Sequence, residues 1–165
     1  MRFRIDQAHA VARGEVEGAF TDPAFYASAT GTSNLGRPEL LRIDESDERV
    51  HVAVRYQFTG QLAAPARRIL DPAKLSWVTE TTLERSTHRA EFRLVPDHYG
   101  DRLECSGSYR LEERGAMACM QTVEGDLVVH VPLVGRSVER AIEHGIRQHL
   151  IEEATAVGRW ATRQT

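Results

Sequence analysis

The most restrictive feature of this sequence is a hydropathy repeat of two that runs, with few breaks, from residue 38 to residue 131. In its clearest stretch Val50, Val52, Val54, Tyr56 and Phe58 alternate with His51, Ala53, Arg55 and Gln57. A chain with that period sends successive side chains to opposite faces of a pleated strand, one face covered and the other wet. The pattern continues through Leu75, Trp77, Thr79, Thr81 and Leu83, through Ala90, Phe92 and Leu94, and through Leu103, Cys105, Gly107, Tyr109 and Leu111. Half-buried alternation marks antiparallel strands, because parallel strands are covered on both faces and read as unbroken apolar runs.

The flanks of this region carry other patterns. Residues 2–9 alternate, with Phe3, Ile5, Gln7 and His9 on one face, and predict a first strand. A helical stretch follows through Val11, Val16 and Phe20, until Thr21-Asp22-Pro23 signals a stop and restart, with Asp22 as N-cap and Pro23 as a first helical residue. Phe25 and Tyr26 belong to that second short helix, which the polar run from Gly31 to Gly36 ends. A final strand closing at Leu127-Val128-Val129-His130-Val131 runs into Pro132 and then a helical pattern to about Trp160. At ~100° per residue, Val134, Val138, Ala141, Ile142, Ile146, Leu150, Val157 and Trp160 form one stripe, with Arg136, Arg140, Glu143, His144 and Arg147 opposite. Ile151 falls outside the stripe.

An apolar sheet face and an apolar helix stripe each need a partner, so the two are expected to pack together. The predicted fold is α+β: a curved antiparallel sheet of about seven strands, two short helices after the first strand, and a long C-terminal helix across the concave face. Residues 1–165 are expected to form a single domain.

Hairpin parity constrains register. Keeping Leu83 and Ala90 on one face needs an even loop around Ser86-Thr87, whereas Tyr109 and Leu111 against Met117, Cys119, Gln121 and Val123 need an odd one. Glu113-Arg114-Gly115 supplies three residues, with Gly115 available for positive φ. That register sets Cys119 opposite Tyr109 and Cys105 opposite Val123, so the two cysteines are not partners and are expected as buried thiols.

Bulk properties exclude several functions. A 165-residue chain buries about two thirds of its unfolded surface, so one core suffices. The 41% hydrophobic and 27% charged fractions are those of a folded globular chain. A net charge of −3 with scattered arginines offers no footprint for nucleic acid. The N-terminus lacks a secretory apolar stretch and no run approaches the ~18 apolar residues of a membrane span, so a cytoplasmic protein without stable membrane insertion, monomeric or homodimeric, is expected.

Five stretches carry a resemblance: Met1-Arg2-Phe3-Arg4, Thr21-Asp22-Pro23-Ala24-Phe25-Tyr26, Leu70-Asp71-Pro72-Ala73-Lys74-Leu75-Ser76-Trp77, Val95-Pro96-Asp97-His98-Tyr99 and Val131-Pro132-Leu133-Val134-Gly135. With the element order, they make the whole chain similar to the START and polyketide-cyclase superfamily (SRPBCC, helix-grip fold). Within it, the chain resembles an uncharacterised actinobacterial family. The resemblance implies a cavity between the last helix and the concave sheet, used across the superfamily for lipids, sterols, polyketides or hormones. It transfers no catalytic set, and fold kinship alone does not assign function.

The inward face supplies the candidate cavity residues. Tyr56, Phe58, Trp77, Phe92 and Tyr109 offer aromatic area, Thr79, Thr81 and Gln121 polar handles, and Cys119, Ile142 and Ile146 further wall. Plain core packing with each hydroxyl bonded to backbone is the competing reading. Gly145 and His149 fall in the buried stripe of the last helix, where glycine costs about 1 kcal/mol relative to alanine. Ligand space beside Gly145 with His149 as a polar contact competes with close approach to the sheet and a satisfied core histidine. His144 and His149 stand roughly 140° apart around a helix, and no metal spacing is present among seven histidines, so neither metal nor cofactor is expected. Asp97-His98-Tyr99-Gly100-Asp101-Arg102 groups acid, base and cation, although a solvated turn explains it better than an acid/base site does. Nucleophile elbows, Walker loops and dinucleotide fingerprints are missing.

Binding of an apolar or amphipathic small molecule is therefore the leading expectation. A cyclase- or dehydratase-type enzyme using Asp97, His98, Tyr109 or His149 in the same cavity is the second, and a structural or protein-interaction domain the third.

Overall fold

In the computed structural model, which describes residues 1–165, the chain runs β1 (Arg2–His9), α1 (Arg13–Phe20), α2 (Pro23–Ser28), β2 (Glu39–Glu45), β3 (Arg49–Gln57), α3 (Ala64–Arg67), β4 (Ser76–Glu84), β5 (Arg89–Pro96), β6 (Leu103–Glu113), β7 (Cys119–Val129) and α4 (Gly135–Gln164). All strands join one antiparallel sheet in the order β1-β7-β6-β5-β4-β3-β2. Chain-consecutive strands neighbour one another from β2 to β7, and β1 adds to the far edge beside β7.

The break between α1 and α2 has the expected cause. The Asp22 carboxylate accepts the Ala24 amide at 2.7 Å, and Pro23 opens α2 where a missing N–H costs nothing. The same Asp-Pro signature recurs at Asp71-Pro72, where Asp71 accepts the Ala73 amide at 3.0 Å and starts a 3-10 turn over Pro72–Lys74. That turn and α3 were not read from the sequence, because the segments are too short to show a period. α4 begins at Gly135 after Leu133 turns the chain through a left-handed φ of 68°, which lets it double back from β7.

The β4–β5 hairpin has the expected register, with Leu83 opposite Ala90. The β6–β7 hairpin corrects the sequence reading: Tyr109 faces Val123, Cys105 faces Leu127, and Cys119 faces Glu113. Parity was right and length was not, since the loop spans residues 114–118, with Gly115 at φ 116° and Met117 out in solvent. The conclusion about the thiols survives, because both cysteines are free and buried. Burial pushes the Cys105 thiol up to about 11.

Two facing glycines allow a close approach between β6 and β7. Gly107 and Gly125 are ladder partners flanked by Phe92 on β5 and Phe3 on β1. A Cβ on Gly107 would fall 2.1 Å from the Glu124 carbonyl oxygen and 2.8 Å from the Phe92 ring, so only glycine fits this close approach.

α4 rests on β1, β7 and α1. Its C-terminal half joins Val157, Trp160 and Ala161 to Val16, Ala19 and Phe20 of α1, to Phe25 and Tyr26 of α2, and to Val50, Val52, Val54 and Leu83 of the sheet. A second cluster, Phe3, Ile5, Cys105, Val123, Leu127 and Leu150, fixes the helix middle to the β1–β7 side. Ala66 and Leu70 pack on Val138 near the helix start. The outer sheet face is polar, with exposed pairs such as Arg4–Glu124 at 2.8 Å and Arg93–Glu80 at 2.6 Å, each worth about 0–1 kcal/mol.

Candidate functional site

Between α4 and the concave face of β3–β7 lies a predominantly apolar cavity of about 400 Å³. α4 has its closest strand contacts on β1 and β7, and the space opens where the helix stands farther from β3, β4 and β5. α1 and α2 close one end through Phe20, Thr21 and Tyr26, and Leu62, Leu70, Tyr99 and Leu103 bound the other. Gln61, Ala141 and His144 are lining residues that are also solvent-exposed, so the mouth opens between α4 and the segment after β3. His144 thus belongs to the rim, not to the outer face of α4 as the helical period implied.

Tyr56, Phe58, Trp77, Thr79, Thr81, Phe92, Tyr109, Gln121, Ile142, Gly145, Ile146 and His149 all line this space. Cys119 does not. It sits at the start of β7, past Gln121, packed in the α1–α4 core, where burial raises its thiol above the usual range. The corrected β6–β7 register explains the displacement, because it moves Cys119 from Tyr109 to the end of the hairpin. Gln121 reaches the wall but spends its carbonyl on His9 Nε2 at 2.9 Å. A Cβ on Gly145 would meet no atom within 4 Å, so this glycine borders open space and no close approach demands it.

His149 is a cavity residue with a partner that sequence reasoning missed. Its Nε2 stands 3.6 Å from Glu153 Oε1, and its ring meets Tyr56 edge-on at 5.5 Å between centroids. Burial opposes charge on the imidazole, but the Glu153 carboxylate outweighs it and holds His149 above its ordinary pKa. Burial, with Glu153 nearby, pushes the Tyr56 and Tyr109 phenols far up, so both stay protonated. The signal for Glu153 was present: it lies four residues past His149 and so on the same helix face.

The Asp97–Arg102 group separates. Asp97 turns to the outer side, accepting from Ser76 Oγ at 2.7 Å and from Arg55 at 3.2 Å, and these bonds hold its carboxyl below the usual range. His98, Tyr99 and Arg102 reach the cavity wall instead. The acid and base of that motif therefore do not converge.

The chain matches, over residues 5–161, the family described as "Protein of unknown function (DUF2505)". The chain belongs to that family. No curated protein matches the DUF2505 chain in sequence. Solved structures match its fold: the Zhui aromatase/cyclase from Streptomyces sp. R1128, at 14% identity and a TM-score of 0.66, covers 99% of this chain and 94% of its own. A START superfamily protein from Mycobacterium smegmatis has 14% identity and a TM-score of 0.57, with 99% of each chain covered. Norcoclaurine synthase from Thalictrum flavum has 11% identity and a TM-score of 0.62, over 98% of this chain and 86% of its own. At such identities the likeness establishes the helix-grip fold of START and cyclase-like proteins, and it assigns no ligand to this DUF2505 member.

Proposed function

We propose that this DUF2505 protein binds an apolar or amphipathic small molecule, lipid-, sterol- or polyketide-like, between its sheet and α4. The observation that carries the reading is the cavity of about 400 Å³ bordered by Gly145, a helix glycine with nothing beside it. Aromatic and aliphatic walls with a few convergent polar groups are the usual composition of a small-molecule site. The neighbours of this fold named as an aromatase/cyclase and a norcoclaurine synthase support the reading. The test is a fluorescence titration with N-phenyl-1-naphthylamine, a neutral apolar dye. Saturable emission that Gly145→Trp abolishes, with the fold intact by circular dichroism, supports the reading. Wild-type protein that leaves the dye dark, or a Gly145→Trp variant that binds it equally well, contradicts it.

The placement of His149 and Glu153 inside the cavity favours one second reading, a cyclase- or dehydratase-type enzyme. A paired imidazole and carboxylate can exchange a proton with a bound molecule. Mass spectrometry of a co-purified ligand decides it: the enzymatic reading requires a mass change with wild type that His149→Gln stops.

We also propose that the chain acts as one domain, monomeric or homodimeric, in the cytoplasm, and that it comes from an actinobacterium, as the resemblance of its five stretches implies. No helix is long and apolar enough to cross a membrane. Light scattering of the purified protein and fractionation of the source cells test these placements.

A further inference from the structure

One set of polar groups lies where Tyr56 and Tyr109 pack against the α1–α2 core, and its bonding is incomplete. His149 Nε2 pairs with Glu153 at 3.6 Å, while His149 Nδ1 is buried without a partner. The Tyr56 and Tyr109 side chains line the cavity, and neither hydroxyl makes a hydrogen bond within the chain or is sealed off by protein atoms. The Tyr26 hydroxyl in the same core is different, since it donates to the Phe20 carbonyl at 2.8 Å. Two phenols thus present free donors to the cavity beside a carboxylate that is a free acceptor on its remaining oxygen.

The charges restrict what can dock there. An imidazolium paired with a carboxylate is neutral overall, so an anionic guest would meet Glu153 with no free cation, and a cationic guest would meet His149. A neutral oxygen fits both sides, because it can accept from a tyrosine hydroxyl and, as a hydroxyl, donate to Glu153. Tyr56 and Trp77 lie stacked, with rings 30° from parallel and 6.3 Å apart, and give a flat wall beside the polar groups. Planar ring systems match such a wall better than a branched aliphatic chain.

We infer that the closed end is a subsite for the neutral hydroxyl or carbonyl oxygen of a ring-bearing ligand, held by Tyr56, Tyr109 and the His149–Glu153 pair. The inference rests on the cavity-binding reading and narrows the ligand class within it. Aryl alcohols and ring ketones are favoured at this end, and groups ionised at neutral pH are rejected there.

Calorimetric titration with 2-naphthol and 2-methylnaphthalene, matched in shape and differing in the oxygen, tests it. The expected result is about tenfold tighter binding of 2-naphthol. Tyr56→Phe with Tyr109→Phe should bring the ratio close to one without weakening 2-methylnaphthalene more than about twofold. The single variant Glu153→Gln, which leaves the α1–α4 core untouched, should lower the ratio at least threefold, so the test survives failure of the double variant to fold. Equal affinities in wild type, or a ratio unchanged in both variants, overturn the subsite and leave the cavity reading standing. Binding of neither compound overturns the cavity reading and the subsite together.

Discussion

At His149 a single side chain carries both the chemistry and a stability signature. Glu153 and Glu152 on α4 favour its charged form, and the Tyr56 ring on β3 meets it edge-on. Because Glu153 raises the folded pKa above the ordinary imidazole value of about 6.5, the proton binds more tightly in the folded protein. The associated stability is fully present below the unfolded pKa and is lost as pH rises through the folded one. Urea midpoints should therefore fall in wild type as pH rises from about 6 through the folded His149 pKa, and the fall should shrink in Glu153→Gln. A pH response identical in the two proteins would show that the pair does not titrate as described. Gly107 gives a second expectation: Gly107→Ala pushes a methyl into the Glu124 carbonyl and should cost about 2–3 kcal/mol in chemical denaturation. Residue identities were partly legible before the structure. Alternation placed Tyr56, Trp77, Thr79 and Tyr109 inward, whereas Glu153 was passed over because a carboxylate inside an apolar stripe contradicts the pattern used to find the stripe.

Elements were legible where a period repeats and poorly where chain length or turn geometry decides. The strand faces and the α4 stripe follow from periods of two and 3.6, which many residues report together. The β6–β7 register was set four residues off, since parity admits a loop of three or of five residues and only the Gly107–Gly125 pairing selects the longer. That error alone misplaced Cys119. α3 and the Pro72–Lys74 turn are too short for periodicity, and they hold in place the flanking residues Leu62, Leu70 and Leu75, which line the cavity. On α4 itself, Gly145→Ala should stabilise the protein by about 0.5–1 kcal/mol in thermal or urea unfolding, because helix propensity rises and the added methyl meets nothing. Destabilisation would mean that α4 approaches the sheet more closely than described.

For the whole molecule, one geometric fact explains both stability and space. The C-terminal half of α4 is locked by Val157, Trp160 and Ala161 into the α1–α2 core, while its middle spans an unfilled part of the sheet. Trp160 contacts the Phe25 ring at 6.3 Å and overlies Gly18, so Trp160→Ala should cost about 3–5 kcal/mol. If the chain is one domain, that loss moves a single cooperative urea transition detected alike by fluorescence and circular dichroism. The claim beneath the functional account is that an apolar guest sits between helix and sheet. Intermolecular NOEs from bound N-phenyl-1-naphthylamine test it most directly. The account predicts contacts to the Thr79 and Thr81 methyls on the sheet and to the Ile142 and Ile146 methyls on α4 in the same complex. Contacts confined to the outer sheet face, or to one of the two layers alone, would contradict it.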